Sequence, residues 1–389
     1  MSKTINLDHA AGAPLNKAAK KVIKEFLDSD IYNTDASYAP ATELRRNLAD
    51  LKNKTAKLIG AKSPNIYITS GSSDATSTLF EVFKLSKNKG ALITTNLEHS
   101  SLLDLVPKNS GHHILKIQND GTLNLKELTG AITSQTLLLS IQYVNNETGQ
   151  IMPIKEISKI VKQAREARER EGNKLPIFLH TDASQAAITQ DIQVPRLGVD
   201  AMSLNGSKFG ALPNSGLLYI SSDILRWLNQ SGISMPPRKE SPLSVISTYH
   251  ALGHAIEKKN SESKRLLAIS KTFWAEFQSQ VPSAHLNPKN LKIGKNHSAH
   301  ILNIHVPGIS GERLVILAGL NGILISTGAA CSASKDKPSH VLEALGLRSE
   351  VIQSSIRVSF GSSNQSEKDA KDAAKKLASL CQNSSVRLT

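Results

Sequence analysis

Cysteine is nearly absent from this sequence. Only Cys331 and Cys381 occur in 389 residues, which excludes a disulfide framework of the kind that holds small secreted domains together. Both are read as thiols. Two separated cysteines without a His-rich segment also cannot form the usual metal cluster, so no metal is expected. Aromatic residues make up only 4%, and no basic run is interleaved with Phe or Tyr as in single-strand binders. Direct nucleic-acid binding is therefore not expected as the main activity. No apolar run approaches the ~20 residues of a membrane helix, and the start MSKTINLDHAAGAP lacks the apolar core of a signal peptide. No membrane partner and a cytoplasmic location are expected. Negative charge is in deficit: 33 Asp and Glu face 47 Lys and Arg, a formal net charge of +14. That surplus fits an acidic partner, nucleic acid or simply a basic proteome without choosing among them.

What is present is an alternation. Hydrophobic residues are 39% and charged residues 21%, the balance of a globular chain. Short runs rich in Ile, Leu and Val alternate with longer amphipathic stretches, the pattern of an α/β fold. Seven runs read as strands buried on both faces: 65–71, 90–95, 112–118, 136–144, 176–182, 200–205 and 216–221. Helical patterns between them, such as 74–87 and 153–171, imply right-handed crossovers and a mostly parallel seven-stranded sheet flanked by helices. The polar stretch QSGISMPPRKESPLS, 230–244, reads as a loop leaving the sheet. A large domain is expected over 15–247. A smaller α+β domain is expected from 1–14 together with 248–389.

Ligands of an open parallel sheet sit beyond the carboxyl ends of its strands. The residues just after each apolar run are polar here. NIYIT is followed by Ser70-Gly71-Ser72-Ser73 and a helix, which puts hydroxyls and unsatisfied N–H groups at a positive helix end and suits a phosphate. Taken alone, the same residues are an ordinary N-cap. GALITTNL leads to Glu98-His99, LLLSIQYV to Asn145-Asn146-Glu147, and IFLHT to Asp182, then Ser184 and Gln185. A flat ring, an amide and a carboxylate together match the needs of a protonated heteroaromatic ring. The run DAMSLN ends in Asn205-Gly206-Ser207-Lys208, one lysine after a buried strand, as a Schiff-base nucleophile requires. Surface placement of Lys208 stays open on spacing alone. Cys331 lies among small residues in TGAACSASK, a setting that suits an accessible, reactive thiol. Cys381 sits on an apolar helix face in KKLASLCQ. Arg357, inside the strand SSIRVSFG, needs an anionic partner, either a carboxylate ligand or an internal salt bridge.

Read in order, NLDHAAGAP, ITSGSS, LEHSS, VNNETG, HTDASQ, NGSK, TGAACSAS and SSIRVSFG resemble the cysteine desulfurases, class V, fold-type I pyridoxal phosphate enzymes. The segment after Cys331, with Pro338 and HVLEALGL, resembles the long-loop group that serves iron–sulfur cluster assembly and tRNA thiolation. The resemblance implies pyridoxal 5′-phosphate as cofactor and Lys208 as the lysine that carries it. It also implies Asp182 as partner of the pyridinium nitrogen and His99 as the stacking ring. Asn146 and Gln185 would meet the ring hydroxyl region or the substrate carboxylate, and Ser72, Ser73, Asn205 and Ser207 would serve the cofactor. Arg357 would clamp the carboxylate of L-cysteine and Cys331 would be the nucleophile. A homodimer and a sulfur acceptor, a scaffold or tRNA-thiolation enzyme, are implied as partners.

Some positions depart from that pattern. Ser207 stands where these enzymes usually have a histidine, Asn205 where serine is usual, and Ser73 where threonine is usual. Glu240-Ser241-Pro242-Leu243 replaces an Arg-Ser-Gly-Thr segment that reaches the neighbouring subunit's phosphate, and Asn33 to Tyr38 replaces an Asn-Pro-Ser segment with its histidine. A selenocysteine lyase, another class V enzyme and a degenerate, non-catalytic homologue remain as alternatives.

Overall fold

A computed structural model describes residues 4–85, 90–106, 111–289, 291–328, 338–361 and 365–385. Its strands are β1 (Ile5–Asn6), β2 (Ile66–Thr69), β3 (Ala91–Thr95), β4 (His113–Leu115), β5 (Thr136–Ser140) and β6 (Phe178–Asp182). They continue as β7 (Ala201–Asn205), β8 (Gly216–Ile220), β9 (His285–Leu286), β10 (Ile301–His305), β11 (Ile323–Leu324) and β12 (Ser355–Ser359).

All seven apolar runs enter one sheet, in the order β2-β8-β7-β6-β5-β3-β4. The neighbours from β7 to β4 are parallel, and β8 is antiparallel to both β7 and β2. Every residue of β3 and β5 is buried, because crossover helices cover both faces of a parallel sheet. One face packs Phe83, Phe178 and Trp227 as a cluster with centroids 5.5 to 5.8 Å apart. The other joins the core that continues towards the C terminus. β4 departs from the expectation of two buried faces. It is the edge strand, and His113 and Ile114 are exposed.

This topology positions the site. Because β3, β5, β6 and β7 run parallel, the loops after Thr95, Ser140, Asp182 and Asn205 leave the same edge of the sheet. The polar groups singled out in the sequence are thereby gathered along one crevice.

The C-terminal part holds a three-stranded antiparallel sheet, β12-β10-β9, and a parallel pair of β1 with β11. A 39-residue helix, Pro242–Gln280, packs against helices Lys17–Leu27, Ala39–Leu58 and Glu367–Ser385. Pro242 stands in its first turn, where the missing N–H costs nothing. The helix runs unbroken through 247 and 248, the point at which the sequence suggests a domain boundary. Among the described residues, no helix is long and apolar enough to cross a membrane.

Candidate active site

Lys208 closes a single 3-10 turn, Gly206–Lys208, directly after β7. The Asn205 side-chain oxygen makes this turn, accepting from the Ser207 N–H at 3.1 Å and the Ser207 hydroxyl at 2.8 Å. A Cβ at Gly206 would lie 2.6 Å from Ser215 Oγ, so only glycine lets the turn fold back onto the next strand. Lys208 is half-buried, and its Nζ donates to the Ala11 carbonyl at 2.8 Å. The N-terminal segment thus reaches the amine. Ser207, expected to serve a phosphate, spends its hydroxyl on Asn205.

Asp182 ends β6, and its Oδ1 accepts from the Ser184 N–H at 2.9 Å. Across the sheet edge, His99 caps the short helix Ser100–Leu103. The Ser101 N–H donates to His99 Nδ1 at 3.2 Å, which leaves the proton of the neutral ring on Nε2. Burial holds this imidazole below the ordinary histidine range, the Asp182 charge opposes that, and the Lys208 charge reinforces it. Three groups from three strand ends therefore share one electrostatic neighbourhood. Beneath them Glu98 is fully buried and pushed up to about 8 by desolvation. The Thr95 hydroxyl at 2.7 Å and the Gln142 N–H at 2.9 Å oppose the shift.

The helix Ser72–Leu85 brings Ser72 and Ser73 to the same edge. Ser73 Oγ donates to Ser101 Oγ at 3.2 Å, tying the helix start to the His99 cap. A Cβ on Gly216 would lie 2.6 Å from the Gly71 Cα, so glycine permits β8 to touch this turn. Asp74, one residue further, accepts both Arg238 guanidinium nitrogens at 2.7 Å and the Ser70 N–H at 2.9 Å. These donors hold its carboxyl at about 2, the Arg238 hydrogen bonds contributing most.

Two expected ligand residues have internal partners. Arg357, 3% exposed, donates to Asp8 Oδ1 at 2.8 Å and to the Asn146 carbonyl at 3.0 Å. Its Nε has no hydrogen-bond partner among the described residues. Gln185 is buried, donating to the Ala10 carbonyl at 2.9 Å, with its oxygen 3.3 Å from His300 Nε2. Cys331 lies outside the described residues. Cys381 is buried, as its apolar helix face suggests, and desolvation pushes its thiol up to about 12. Asp8, Glu98 and Glu147 each stand in a quoted motif without a role there: nothing local signals the burial of Glu98 and Glu147 or the long-range pairing of the part-exposed Asp8 with Arg357.

The family model described as aminotransferase class V matches residues 5–235. A cysteine desulfurase IscS of Dictyoglomus turgidum is 30% identical over 372 residues, covering 93% of this chain and 90% of that protein. The chain belongs to the class V aminotransferase family, among its cysteine desulfurases. A solved structure titled NifS-like protein shares the fold with a TM-score of 0.83 at 21% identity, covering 98% of this chain and all of that one. Another, SspA in complex with cysteine, aligns with a TM-score of 0.71 at 25% identity over 92% of this chain and 99% of that one.

Cysteine desulfurases are pyridoxal phosphate enzymes, and the donor set at this edge has the chemistry for that group. Lys208 offers an amine for an aldehyde, Asp182 a carboxylate for a ring nitrogen and His99 a flat face. Ser72 and Ser73 offer hydroxyls and N–H groups at the positive end of a 14-residue helix. The segment in which this desulfurase departs most from its family has a structural job here. Glu240 pairs with Lys52 at 2.9 Å and accepts the Ile68 N–H at 3.0 Å, Pro242 opens the long helix, and Leu243 packs on the core. An aliphatic side chain donates nothing to a phosphate.

Proposed function

We propose that this chain binds pyridoxal 5′-phosphate and desulfurates L-cysteine to L-alanine as a homodimer, with Cys331 receiving the sulfur as a persulfide. From there the sulfur would pass to an acceptor protein in iron–sulfur cluster assembly or tRNA thiolation. The reading is carried by one observation: His99, Asp182 and Lys208 stand at or just after the ends of β3, β6 and β7, which run parallel, so all three leave the same carboxyl edge of the sheet.

When bound, pyridoxal phosphate supplies an electron sink for the charge that develops at the substrate α-carbon. Lys208 would hold the cofactor and, as a neutral amine, take the substrate α-proton. The Ala11 carbonyl at 2.8 Å orients that amine. Asp182 would keep the ring nitrogen protonated, and His99, neutral with its proton on Nε2, would stack on the ring. Arg357 would bind the substrate carboxylate, either through its Nε edge or by releasing Asp8. The Cys331 thiolate would attack the substrate sulfur, forming an S–S bond. The electron pair of the broken C–S bond returns to carbon, which takes up a proton and leaves as alanine.

The cofactor assignment is tested by adding pyridoxal phosphate to the apoprotein, reducing with borohydride and mapping the labelled peptide. Label at Lys208, and no visible chromophore in Lys208→Ala, is the expected result. A wild-type protein that takes up no cofactor would overturn the assignment and favour a non-catalytic homologue.

A further inference from the structure

Glu147 is among the buried carboxyls that the mechanism leaves unused. Glu147 stands in the turn after β5, 4% exposed, in the motif Asn145-Asn146-Glu147. Its Oε2 accepts the Ser339 hydroxyl at 2.5 Å. A Cβ placed on Gly328, which has φ +90, would meet the same oxygen at 3.2 Å. Gly328 directly precedes 329–337, the segment in which Cys331 falls, and Ser339 follows it after Pro338. One carboxyl therefore lies against both approaches to the cysteine.

Each approach is also fixed to the substrate side. Before the segment, Ser326 pairs by backbone with Arg357 in both directions, at 3.2 and 2.6 Å, and its hydroxyl accepts the Gly328 N–H at 3.1 Å. After it, Ser339 caps the helix His340–Ala344, and His340 Nε2 lies 2.9 Å from the Glu98 carbonyl, next to His99. The Glu147 carbonyl accepts Asn303 Nδ2 at 3.4 Å, while the adjacent Asn146 carbonyl holds Arg357. Burial drives the Glu147 carboxyl above its ordinary range, opposed first by the Ser339 hydroxyl and then by charge at His340 and Arg357. Such a group is retained at a cost, since an apolar residue of similar size would avoid the desolvation.

We propose that Glu147 is a positioning residue which holds Gly328 and Ser339, on the two sides of Cys331 in the sequence, in fixed places relative to Arg357. This deepens the desulfurase reading and rests on it for the role of Cys331. Its role is indirect, exerted through Ser339 and Gly328 on the thiol that lies between them in the sequence.

The test compares Glu147→Ala, Ser339→Ala, their double variant and Ser339→Thr, all loaded with cofactor. In each single variant, persulfide formation on Cys331 at saturating L-cysteine should fall about tenfold, the loss of one buried hydrogen bond, with KM within about twofold. The double variant should be no slower than the worse single, because both remove one contact. Ser339→Thr should recover most of the rate. Unchanged persulfide formation in folded single variants, or losses that multiply in the double, would overturn the proposal. Alkylation of Cys331 by iodoacetamide without substrate gives a readout independent of turnover, Cys381 being buried. Its rate should change at least about threefold in both Ala variants, and an unchanged rate would also count against the proposal. A wild type that forms no persulfide while the alkylation rates still differ would sink the desulfurase reading and leave the positioning role standing.

Discussion

Glu98 gives the sharpest energetic prediction. Its carboxyl is fully buried beneath His99, and desolvation pushes it from 4.5 to about 8. An acid whose folded-state value is raised stabilises the fold while protonated. That stability is complete below the unfolded value and is lost as pH rises through the folded one. At about 1.4 kcal/mol per pH unit, the loss across this window reaches about 4–5 kcal/mol, of which about 2 falls between pH 6 and 8. Glu98→Gln mimics the protonated acid. Its oxygen can accept the Gln142 N–H, and its amide can donate to Thr95 Oγ1, the two partners Glu98 has now. Urea unfolding of the apoprotein at pH 6 and pH 8, followed by far-UV circular dichroism, should show the variant gaining on wild type by about 2 kcal/mol as pH rises. A stability difference that does not depend on pH, or that moves against the variant at pH 8, would refute the burial argument.

Other consequences follow from the same geometry. Arg238→Ala removes two hydrogen bonds from the Asp74 carboxylate and should cost about 1–2 kcal/mol by denaturant titration. Because Asp74 is held at about 2, its contribution is present above its unfolded value of 3.8 and lost as pH falls towards 2. The acid limb of the stability profile should therefore flatten in the variant, and an unchanged limb would show that the pair does not hold the carboxyl down. Arg357→Ala should lower kcat/KM for L-cysteine about 100-fold while cofactor uptake persists. Equal losses in cofactor uptake and turnover would instead mark Arg357 as the structural partner of Asp8. Lys208→Ala should retain the fold by circular dichroism and form no alanine.

The sheet was legible because β3 and β5 carry no charged residue and do not alternate apolar with polar side chains, the pattern of a strand covered on both faces, and both are buried at every position. The edge position of β4 was not, since His112, His113 and Ile114 look alike whether a neighbouring strand follows or not. The prolines of the stretch 230–244 read as a loop, yet Pro242 initiates a helix, which the first turn allows. In the site, Lys208, Asp182 and His99 were visible because each follows a buried strand. What those residues touch was not visible. Arg357 meets Asp8, 349 residues away in sequence, and Gln185 turns to Ala10 and His300. Glu98 and Glu147 look like solvated loop carboxylates in the sequence, and only the packing of the C-terminal part against the sheet edge encloses them.

The most direct measurement is anaerobic incubation of the cofactor-loaded protein with L-cysteine and a reductant, quantifying alanine and sulfide, beside Cys331→Ser. Equal amounts of the two products in wild type, and neither in the variant, are expected for sulfur transfer through Cys331. Alanine and sulfide that persist in Cys331→Ser would contradict it, since the sulfur would then leave the substrate without passing through that thiol.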